Sequence, residues 1–175
     1  FLRLHRHNLT PEALGKYLAF SDSSEIEYWN LIRFSYIRAI NFVGMTVEQG
    51  LRHLLTSGGF RLPGEAQQVD RLITTFAQCY WEDNAGDHIS CPFKDQDTVF
   101  VLSFAIIMLN TDLHKFVPVS QGKNARKRMT KVEFTNNLKH VTDSTENVNL
   151  DYLSVIYDSI EANPIVLHGG MDDLE

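Results

Sequence analysis

The sequence predicts an all-α domain. Across its 175 residues apolar side chains recur with the helical period, and no segment alternates strictly enough to predict a strand or a β-hairpin. Hydrophobic residues make up 43% of the chain, which is typical of a folded domain with its own core. A chain of this length favours a single domain that buries enough apolar surface to fold by itself.

Seven segments carry the helical period, and residues that can cap a helix stand at several of their starts. The predicted helices span 11–19, 25–41, 46–55, 65–80, 97–114, 131–141 and 150–162. Thr10 precedes a proline, which suits the first position of a helix. Thr46 stands three residues before Gln49, the spacing of a capping box. Asn147 or Asn149 is in place to cap the last helix.

Turn-forming and polar residues fill the connections between these helices. Thr56-Ser-Gly-Gly59 is predicted to be a flexible joint before the next motif. The longer connections 83–92 and 116–129 are rich in glycine, proline, aspartate or basic residues. No segment repeats at the period of a solenoid, which disfavours a stacked-repeat scaffold.

Charge and cysteine content disfavour several classes of protein. The formal net charge of −6 argues against a nucleic-acid-binding domain. One basic stretch, 123–128 with Lys131, is interpreted as a solvated loop, with attraction to a membrane surface as the alternative. Cys79 and Cys91 have neither a CxxC nor a metal-ligand spacing, which predicts reduced thiols in an intracellular protein and no metal site.

Neither a membrane span nor a secretory signal is predicted. The longest apolar run, from Val99 to Leu109, is shorter than the roughly 20 residues that cross a membrane, and it predicts a buried helix. Residues 1–7 lack the apolar stretch of a signal peptide. Because the sequence does not begin with methionine, we expect it to be a fragment of a longer protein.

The stretch Phe60-Arg-Leu-Pro-Gly-Glu-Ala-Gln67 interrupts the helical pattern. Pro63 fixes φ and Gly64 can adopt conformations closed to other residues, so the pair predicts a tight turn. The helical pattern resumes at once, which places Glu65 at a rigid helix N-terminus on a loop tip. Its carboxylate has two interpretations: an ordinary first-turn charge that complements the helix dipole, or a fixed negative probe.

The helix predicted over 97–114 is apolar on nearly every face. One face carries Phe100, Phe104, Ile107 and Met108, and the others carry Val101, Leu102, Ala105, Ile106 and Leu109. Such a helix must be buried by its own domain or by a partner. Its methionine and two aromatic residues suit an adaptable apolar surface.

That helix ends with the residues Asn110-Thr-Asp-Leu-His114. Helix capping together with solvated polar groups is one explanation of this ending. Asn110, Asp112 and His114 point in different directions on a helix, so they do not predict a metal site.

Residues 60–67 and 97–114 are the two sequence motifs of the chain. Together they closely resemble the two motifs of the Sec-seven domain, the catalytic module of guanine-nucleotide exchange factors for Arf-family small GTPases. Further segments fall in the same order as in that family: 67–71, 76–80, 129–130 with 134–137, and 153–160. The resemblance assigns 1–165 to the exchange domain and leaves 166–175 as a C-terminal tail or linker. The family's first helices are expected to be missing, because Phe1-Leu2 aligns with an internal helix.

The resemblance implies a right-handed superhelix of antiparallel helices in two lobes, with a hydrophobic groove between them. It implies that Glu65 is a glutamate finger that releases GDP, and that the groove receives the switch regions of the GTPase. The residues that the resemblance places at the groove are Leu62, Pro63, Gly64, Gln67, Asp70, Asp97, Phe100, Phe104, Ile107, Met108, Asn110 and Lys115. It implies no covalent chemistry and no cofactor of the domain's own, since Mg²⁺ and GDP or GTP belong to the GTPase.

The resemblance also implies a setting. The isolated domain is expected to be monomeric and cytoplasmic, with flanking domains that recruit it peripherally to Golgi, endosomal or plasma membranes. The alternative function is a non-catalytic helical adaptor that binds a small GTPase. A hydrolase is disfavoured, because neither cysteine has a nucleophile–base signature.

Several positions depart from the family pattern. Segment 56–59 is longer than usual, and Lys115 stands where the family has an asparagine that contacts the GTPase. Connection 116–128 is enlarged. After Asn136-Asn137 the chain has Leu138-Lys139-His140, where the family usually has Arg-Gly. The first two departures are expected to lower activity or to shift the choice of GTPase.

Brefeldin A inhibits some members of the family that the chain resembles. Susceptible members carry Tyr-Ser where this chain has Phe104-Ala105, whereas Asp112 and Met129 match the susceptible pattern. The two missing hydroxyls predict resistance.

Overall fold

A computed structural model of the chain describes residues 8–114, 128–139 and 150–166. The helices within these ranges, numbered in chain order, are α1 (Pro11–Ala19), α2 (Ile26–Arg38), α3 (Val47–Ser57), α4 (Ala66–Asn84), α5 (Gln96–His114), α6 (Lys131–Leu138) and α7 (Leu150–Ala162). Each predicted segment overlaps one helix, and the described residues contain no strand. The all-α prediction is therefore confirmed.

Side chains cap α1 and α3 as their sequences predict. The Thr10 hydroxyl accepts a hydrogen bond from the N–H of Ala13 at the start of α1 (3.2 Å). At α3 the Thr46 hydroxyl accepts from the N–H of Gln49 (3.3 Å), while the Gln49 side chain accepts from the N–H of Thr46 (3.0 Å). This reciprocal pair is the predicted capping box.

α3 runs two residues past its predicted end, to Ser57. The ends of α2 and α4 also differ from the prediction, because distant contacts fix them. α4 runs on to Asn84: Asp83 accepts from the N–H of Phe42 (2.9 Å), and the Asn84 amide donates to the Phe42 carbonyl (3.0 Å). α2 ends earlier than predicted, at Arg38, because Ile40 and Phe42 turn into the core, where they are 3% and 0% exposed.

The last two helices lie next to residues that the structure does not describe. Thr130 and Glu133 form a capping box at the start of α6, which ends at Leu138 instead of 141. The predicted caps of α7, Asn147 and Asn149, lie outside the described residues.

Helix α4 is the centre of the fold. It packs most extensively against α5 and also contacts α1, α2 and α3, whereas α7 contacts α5 and α6. Phe42, Phe76 and Tyr80 form an aromatic core: the ring centroids of the first pair lie 5.2 Å apart and those of the second pair 5.7 Å apart. The Tyr80 hydroxyl lies 2.8 Å from the Met45 carbonyl oxygen and is therefore satisfied. Thus α4 and α5 position both sequence motifs.

The joint 56–59 follows a path set by packing, which corrects the expectation of a flexible joint. The carbonyl of buried Gly58 accepts a hydrogen bond from the Tyr36 hydroxyl (2.6 Å). A Cβ at Gly58 would stand 2.9 Å from Cε1 of Phe60, so the ring packs directly on this glycine. Gly59, with φ of 70°, lies in the left-handed region that favours glycine and turns the chain into the loop that follows.

Candidate functional site

Glu65 stands at the N-cap position of α4 with an exposed side chain. Its φ and ψ are −89° and 128°, and its carboxylate makes no capping hydrogen bond. Its carbonyl oxygen accepts hydrogen bonds from the N–H groups of Gln68 and Val69 (both 3.1 Å). The first turn of α4 therefore fixes the backbone of Glu65, while its carboxylate is accessible to a partner.

The residues that precede this tip anchor the loop in the core. Phe60 and Leu62 are 1% and 3% exposed, and Pro63 is buried as well. The N–H of Arg61 donates a hydrogen bond to the carbonyl of Pro11 at the start of α1 (3.0 Å). Leu62 and Pro63 thus support the loop from inside, which corrects the expectation that their side chains line an exposed groove.

Gly64 does not need the conformational freedom that its sequence context suggested. Its φ lies outside the left-handed region, and a Cβ added to it would meet no atom within 4 Å. Pro63 and the buried residues before it are sufficient to turn the chain. The surface beside Glu65 is therefore open on the Gly64 side.

Helix α5 has one buried face and one exposed apolar face. On the buried face, Leu102, Ile106 and Leu109 are at most 2% exposed. On the opposite face Val101 is 36% and Met108 is 64% exposed. We define the α5 strip as Phe100, Val101, Phe104, Ala105, Ile107 and Met108, of which all but Val101 and Met108 are partly buried.

The α5 strip contains the face that the sequence singled out and two residues that the sequence-based interpretation missed. Phe100 and Phe104 pack edge to face, with ring centroids 5.0 Å apart. Val101 and Ala105 had been assigned to the other faces of the helix. Their spacing with Phe104 and Met108, at i, i+3, i+4 and i+7, is the signal that identifies them as members of the same stripe.

Three further predicted site residues lie on the surface. Gln67 and Asp70 belong to the first turns of α4, Asp97 belongs to the first turn of α5, and all three are exposed. Lys115 lies outside the described residues. The exposed candidates are therefore a loop tip and the starts of two adjacent helices, together with the α5 strip.

Asn110 belongs to the interior, which corrects the expectation that it contacts a GTPase. It is 1% exposed. Its side-chain amide donates to the carbonyl of Ile165 (2.9 Å) and accepts from the N–H of Ile165 (2.7 Å). Asn110 follows Ile106 by four residues, and this spacing already places it on the buried face.

The segment after α7, residues 163–166, contacts both the loop before Glu65 and α5. Ile165, which Asn110 holds against α5, lines a cavity of about 360 Å³ together with Phe60 and Arg61. Arg52 of α3 donates a hydrogen bond to the carbonyl of Pro164 in the same segment (3.3 Å). The loop that carries the glutamate and the C-terminal half of α5 are therefore neighbours in the fold.

Polar groups at the end of α5 bind other parts of the domain. Asp112, which is 8% exposed, accepts a hydrogen bond from the N–H of Met129 (2.6 Å). Nε2 of His114 lies 2.6 Å from the carbonyl oxygen of Ile160 and donates to it. This ending therefore ties α5 to α7 and to the start of α6, which corrects its interpretation as solvated polar groups.

The two cysteines are buried thiols. Burial raises the pKa of Cys79 to about 12, and it also raises the pKa of Cys91. A protonated, inaccessible thiol is neither a nucleophile nor a metal ligand. Among the residues that the structure describes, no group of three His, Cys, Asp or Glu side chains is placed to bind a metal ion.

By length and composition alone, the 19 residues of α5 could also cross a membrane. In this fold α5 instead packs against α3, α4 and α7. This is the position of a core helix, as the apolar run in the sequence predicts.

The family described as the Sec7 domain matches residues 1–165 of the chain. The chain is 39% identical over 177 residues to the ARF guanine-nucleotide exchange factor 2 of Saccharomyces cerevisiae, an alignment that covers 95% of the chain and 11% of that protein. It is 33% identical over 165 residues to the ankyrin repeat, PH and SEC7 domain containing protein secG of Dictyostelium discoideum, which covers 94% of the chain and 15% of that protein. The chain thus spans a small part of these curated relatives.

Solved structures share the fold. The structure of ARF1-GDP bound to a Sec7 domain complexed with brefeldin A matches with a TM-score of 0.75 and 33% identity, over 95% of this chain and 74% of that chain. The Sec7p catalytic domain matches with a TM-score of 0.72 and 33% identity, over 94% of this chain and 77% of that chain. The helices of this chain therefore have the arrangement found in these solved domains.

Proposed function

Because this chain belongs to the Sec7 domain family, we propose that it is a guanine-nucleotide exchange domain that releases GDP from an Arf-family small GTPase. Relatives named as ARF or ADP-ribosylation factor guanine-nucleotide exchange factors support this activity. The observation that carries the proposal is Glu65, an exposed carboxylate on an anchored loop that does not cap its own helix.

An exchange factor must bind the nucleotide-free GTPase more tightly than the loaded one, because only a difference in affinity shifts the equilibrium. GDP is held mainly by Mg²⁺ and by backbone and lysine contacts to its phosphates. The domain therefore has to weaken those contacts. It has two features suited to this task.

The α5 strip is the first feature. Its side chains are apolar and accessible, with Met108 at 64% and Val101 at 36% exposure. Covering apolar surface contributes about 25 cal/mol per Å². In the proposed mechanism the strip captures the switch segments of the GTPase and draws them away from the Mg²⁺ site. Methionine suits this role, because its flexible side chain adapts to a segment that changes shape.

Glu65 is the second feature. In the space vacated by the switch segments, its carboxylate would oppose the β-phosphate and compete for the lysine and Mg²⁺ that hold it. Two like charges about 4 Å apart at an effective dielectric near 20 repel by ~4 kcal/mol, which corresponds to roughly a thousandfold in release rate. The buried residues Phe60 and Leu62 limit how far the loop can retreat from this repulsion.

Release of a fluorescent GDP analogue from an Arf-family GTPase tests the proposal. The unmodified domain should accelerate release, and Glu65→Lys should nearly abolish the acceleration, since a cation there favours phosphate retention. Glu82→Lys, at an exposed position near the other end of α4, makes the same charge change away from the loop and should leave the rate unchanged. Melting curves confirm that both variants fold.

Two outcomes would contradict the proposal. A folded Glu65→Lys domain with full activity would show that this carboxylate is not the finger. A domain that binds the GTPase without changing release would be an adaptor.

With an Arf-family partner, we expect the domain to act in the cytoplasm at Golgi, endosomal or plasma membranes.

A further inference from the structure

Gly15, in the middle of α1, lies directly against the loop that carries Glu65. A Cβ added to Gly15 would stand 1.9 Å from the carbonyl oxygen of Arg61 and 3.1 Å from its carbonyl carbon. The first distance is far below that of any real contact. Because the neighbour is backbone, it cannot swing aside as a side chain would. A side chain at this position must therefore displace either the loop or α1.

The peptide of Arg61 is fixed on several sides. Its N–H donates to the carbonyl of Pro11, one turn before Gly15 on the same helix (3.0 Å). Phe60 and Leu62, on either side of Arg61 in sequence, are 1% and 3% exposed, so the loop cannot shift without disturbing the core. Helix α1 is thus the surface on which this loop rests.

The start of the loop is fixed by a second group. The Tyr36 hydroxyl, from α2, donates to the carbonyl of Gly58 (2.6 Å), just before the chain turns at Gly59. Tyr36 also packs on Phe60, with ring centroids 6.3 Å apart. One helix therefore holds the entry to the loop and another holds its middle.

We propose that Gly15 and the Tyr36 hydroxyl are positioning groups that aim Glu65 at the nucleotide site of the GTPase. This inference rests on the proposed function. Neither group has to touch the GTPase, because each acts on the backbone of the loop. The absence of a side chain at Gly15 sets how closely the loop sits on α1, and therefore how far the carboxylate projects from the domain.

Gly15→Ala should reduce the maximal exchange rate and leave docking intact. To restore an ordinary contact, the Arg61 carbonyl or α1 must move by more than 1 Å from the present 1.9 Å. Misplacing a group that acts on a reacting centre by about 1 Å costs on the order of a hundredfold, so we expect a roughly tenfold to hundredfold lower maximal rate. The half-saturating GTPase concentration should not change, because the α5 strip is untouched.

Gly50→Ala is the matched control. Gly50 is a buried helical glycine whose added Cβ would meet the side chains of Tyr80 (3.0 Å) and Phe76 (3.3 Å), not the loop. Both variants are compared by melting temperature and by exchange rate as a function of GTPase concentration. If exchange per folded molecule falls equally in both, the loss reflects general destabilisation and the inference is wrong.

Glu65→Ala separates this inference from the proposed function. If the unmodified domain does not accelerate release, the proposed function fails. If Glu65→Ala keeps full activity, the domain is an exchange factor without a carboxylate to aim, and the positioning inference is wrong. If Glu65→Ala slows release, residual release is measured with the domain in stoichiometric excess. Adding Gly15→Ala should then change that rate by less than about twofold, because no carboxylate remains to be aimed. If Gly15→Ala lowers the release rate of the Glu65→Ala domain by the same factor as it lowers that of the unmodified domain, the positioning role is wrong.

Tyr36→Phe decides the question if Gly15→Ala does not fold. It removes one hydrogen bond, a loss of stability that a folded domain tolerates. We expect a severalfold lower maximal rate with an unchanged half-saturating concentration, and no further effect in the Glu65→Ala background. An unchanged maximal rate in folded Tyr36→Phe would refute the inference.

Discussion

Met108→Ala should weaken GTPase capture with little effect on folding. Met108 is 64% exposed on the α5 strip, so only about a third of its surface is buried by the fold. Complete burial of such a side chain contributes about 1.5–3 kcal/mol, so the buried third contributes at most about 1 kcal/mol to stability. The melting temperature should therefore fall by only a few degrees.

The effect of the same change on binding should be much larger. A GTPase segment on the strip would cover the exposed part of Met108, and truncating a buried apolar anchor at an interface costs about 2–4 kcal/mol. That range corresponds to a roughly 30-fold to 1,000-fold higher half-saturating GTPase concentration. The maximal rate should fall less than in Glu65→Lys, because Glu65 and its loop are unchanged.

Ile106→Ala is the control on the same helix. Ile106 is 0% exposed on the opposite face, so its truncation should destabilise the domain by about 2–5 kcal/mol without altering exchange per folded molecule. Denaturant titration and exchange rates over a range of GTPase concentrations distinguish the two variants. If Met108→Ala costs as much stability as Ile106→Ala and keeps the parental half-saturating concentration, the strip is not a docking surface.

Two more variants are informative. Asn110→Ala should lower the free energy of unfolding, because each buried group of Ile165 left without its partner costs about 1–3 kcal/mol. Denaturant titration measures this, and an unchanged stability would contradict the assignment of Asn110 as an internal clamp. Brefeldin A should inhibit the unmodified domain poorly, because Phe104 and Ala105 offer no hydroxyl and each missing hydrogen bond costs about 1–3 kcal/mol. Phe104→Tyr with Ala105→Ser should gain sensitivity in an inhibitor titration, whereas potent inhibition of the unmodified domain would disprove this account.

The helices and their caps could be predicted because the groups that determine them are close in sequence. Thr46 and Gln49 form their capping box within one turn. The ends of α2 and α4 could not be predicted in this way, since they depend on long-range contacts. Two hydrogen bonds to Phe42, about 40 positions earlier in sequence, fix the end of α4: Asp83 accepts from the N–H of Phe42, and the Asn84 amide donates to the Phe42 carbonyl.

The same distinction separates the correct and incorrect predictions at the candidate site. The position of Glu65 at a helix start follows from the neighbouring Pro63 and from the helical pattern after it, and the structure places it there. The burial of Leu62 depends on how the loop packs on α1, so the motif alone could not show it. The spacing of Asn110 from Ile106 does indicate its burial, but its partner, Ile165, is distant in sequence. Gly15 carried no local signal at all, because its contact with Arg61 exists only in the folded chain.

Folding alone does not account for the two features that support the proposed function. Met108 is 64% exposed while its neighbour Leu109 is 0% exposed, so the core uses one face of α5 and leaves an apolar face outside. A fold that needed only a core would be more soluble with polar residues there. Likewise, Asp, Asn, Ser or Thr at an N-cap typically stabilises a helix by about 1 kcal/mol, whereas α4 has Glu65 at this position, which makes no such bond. Both departures lie on elements that contact the segment after α7. A partner that binds both the strip and the loop tip would explain them together.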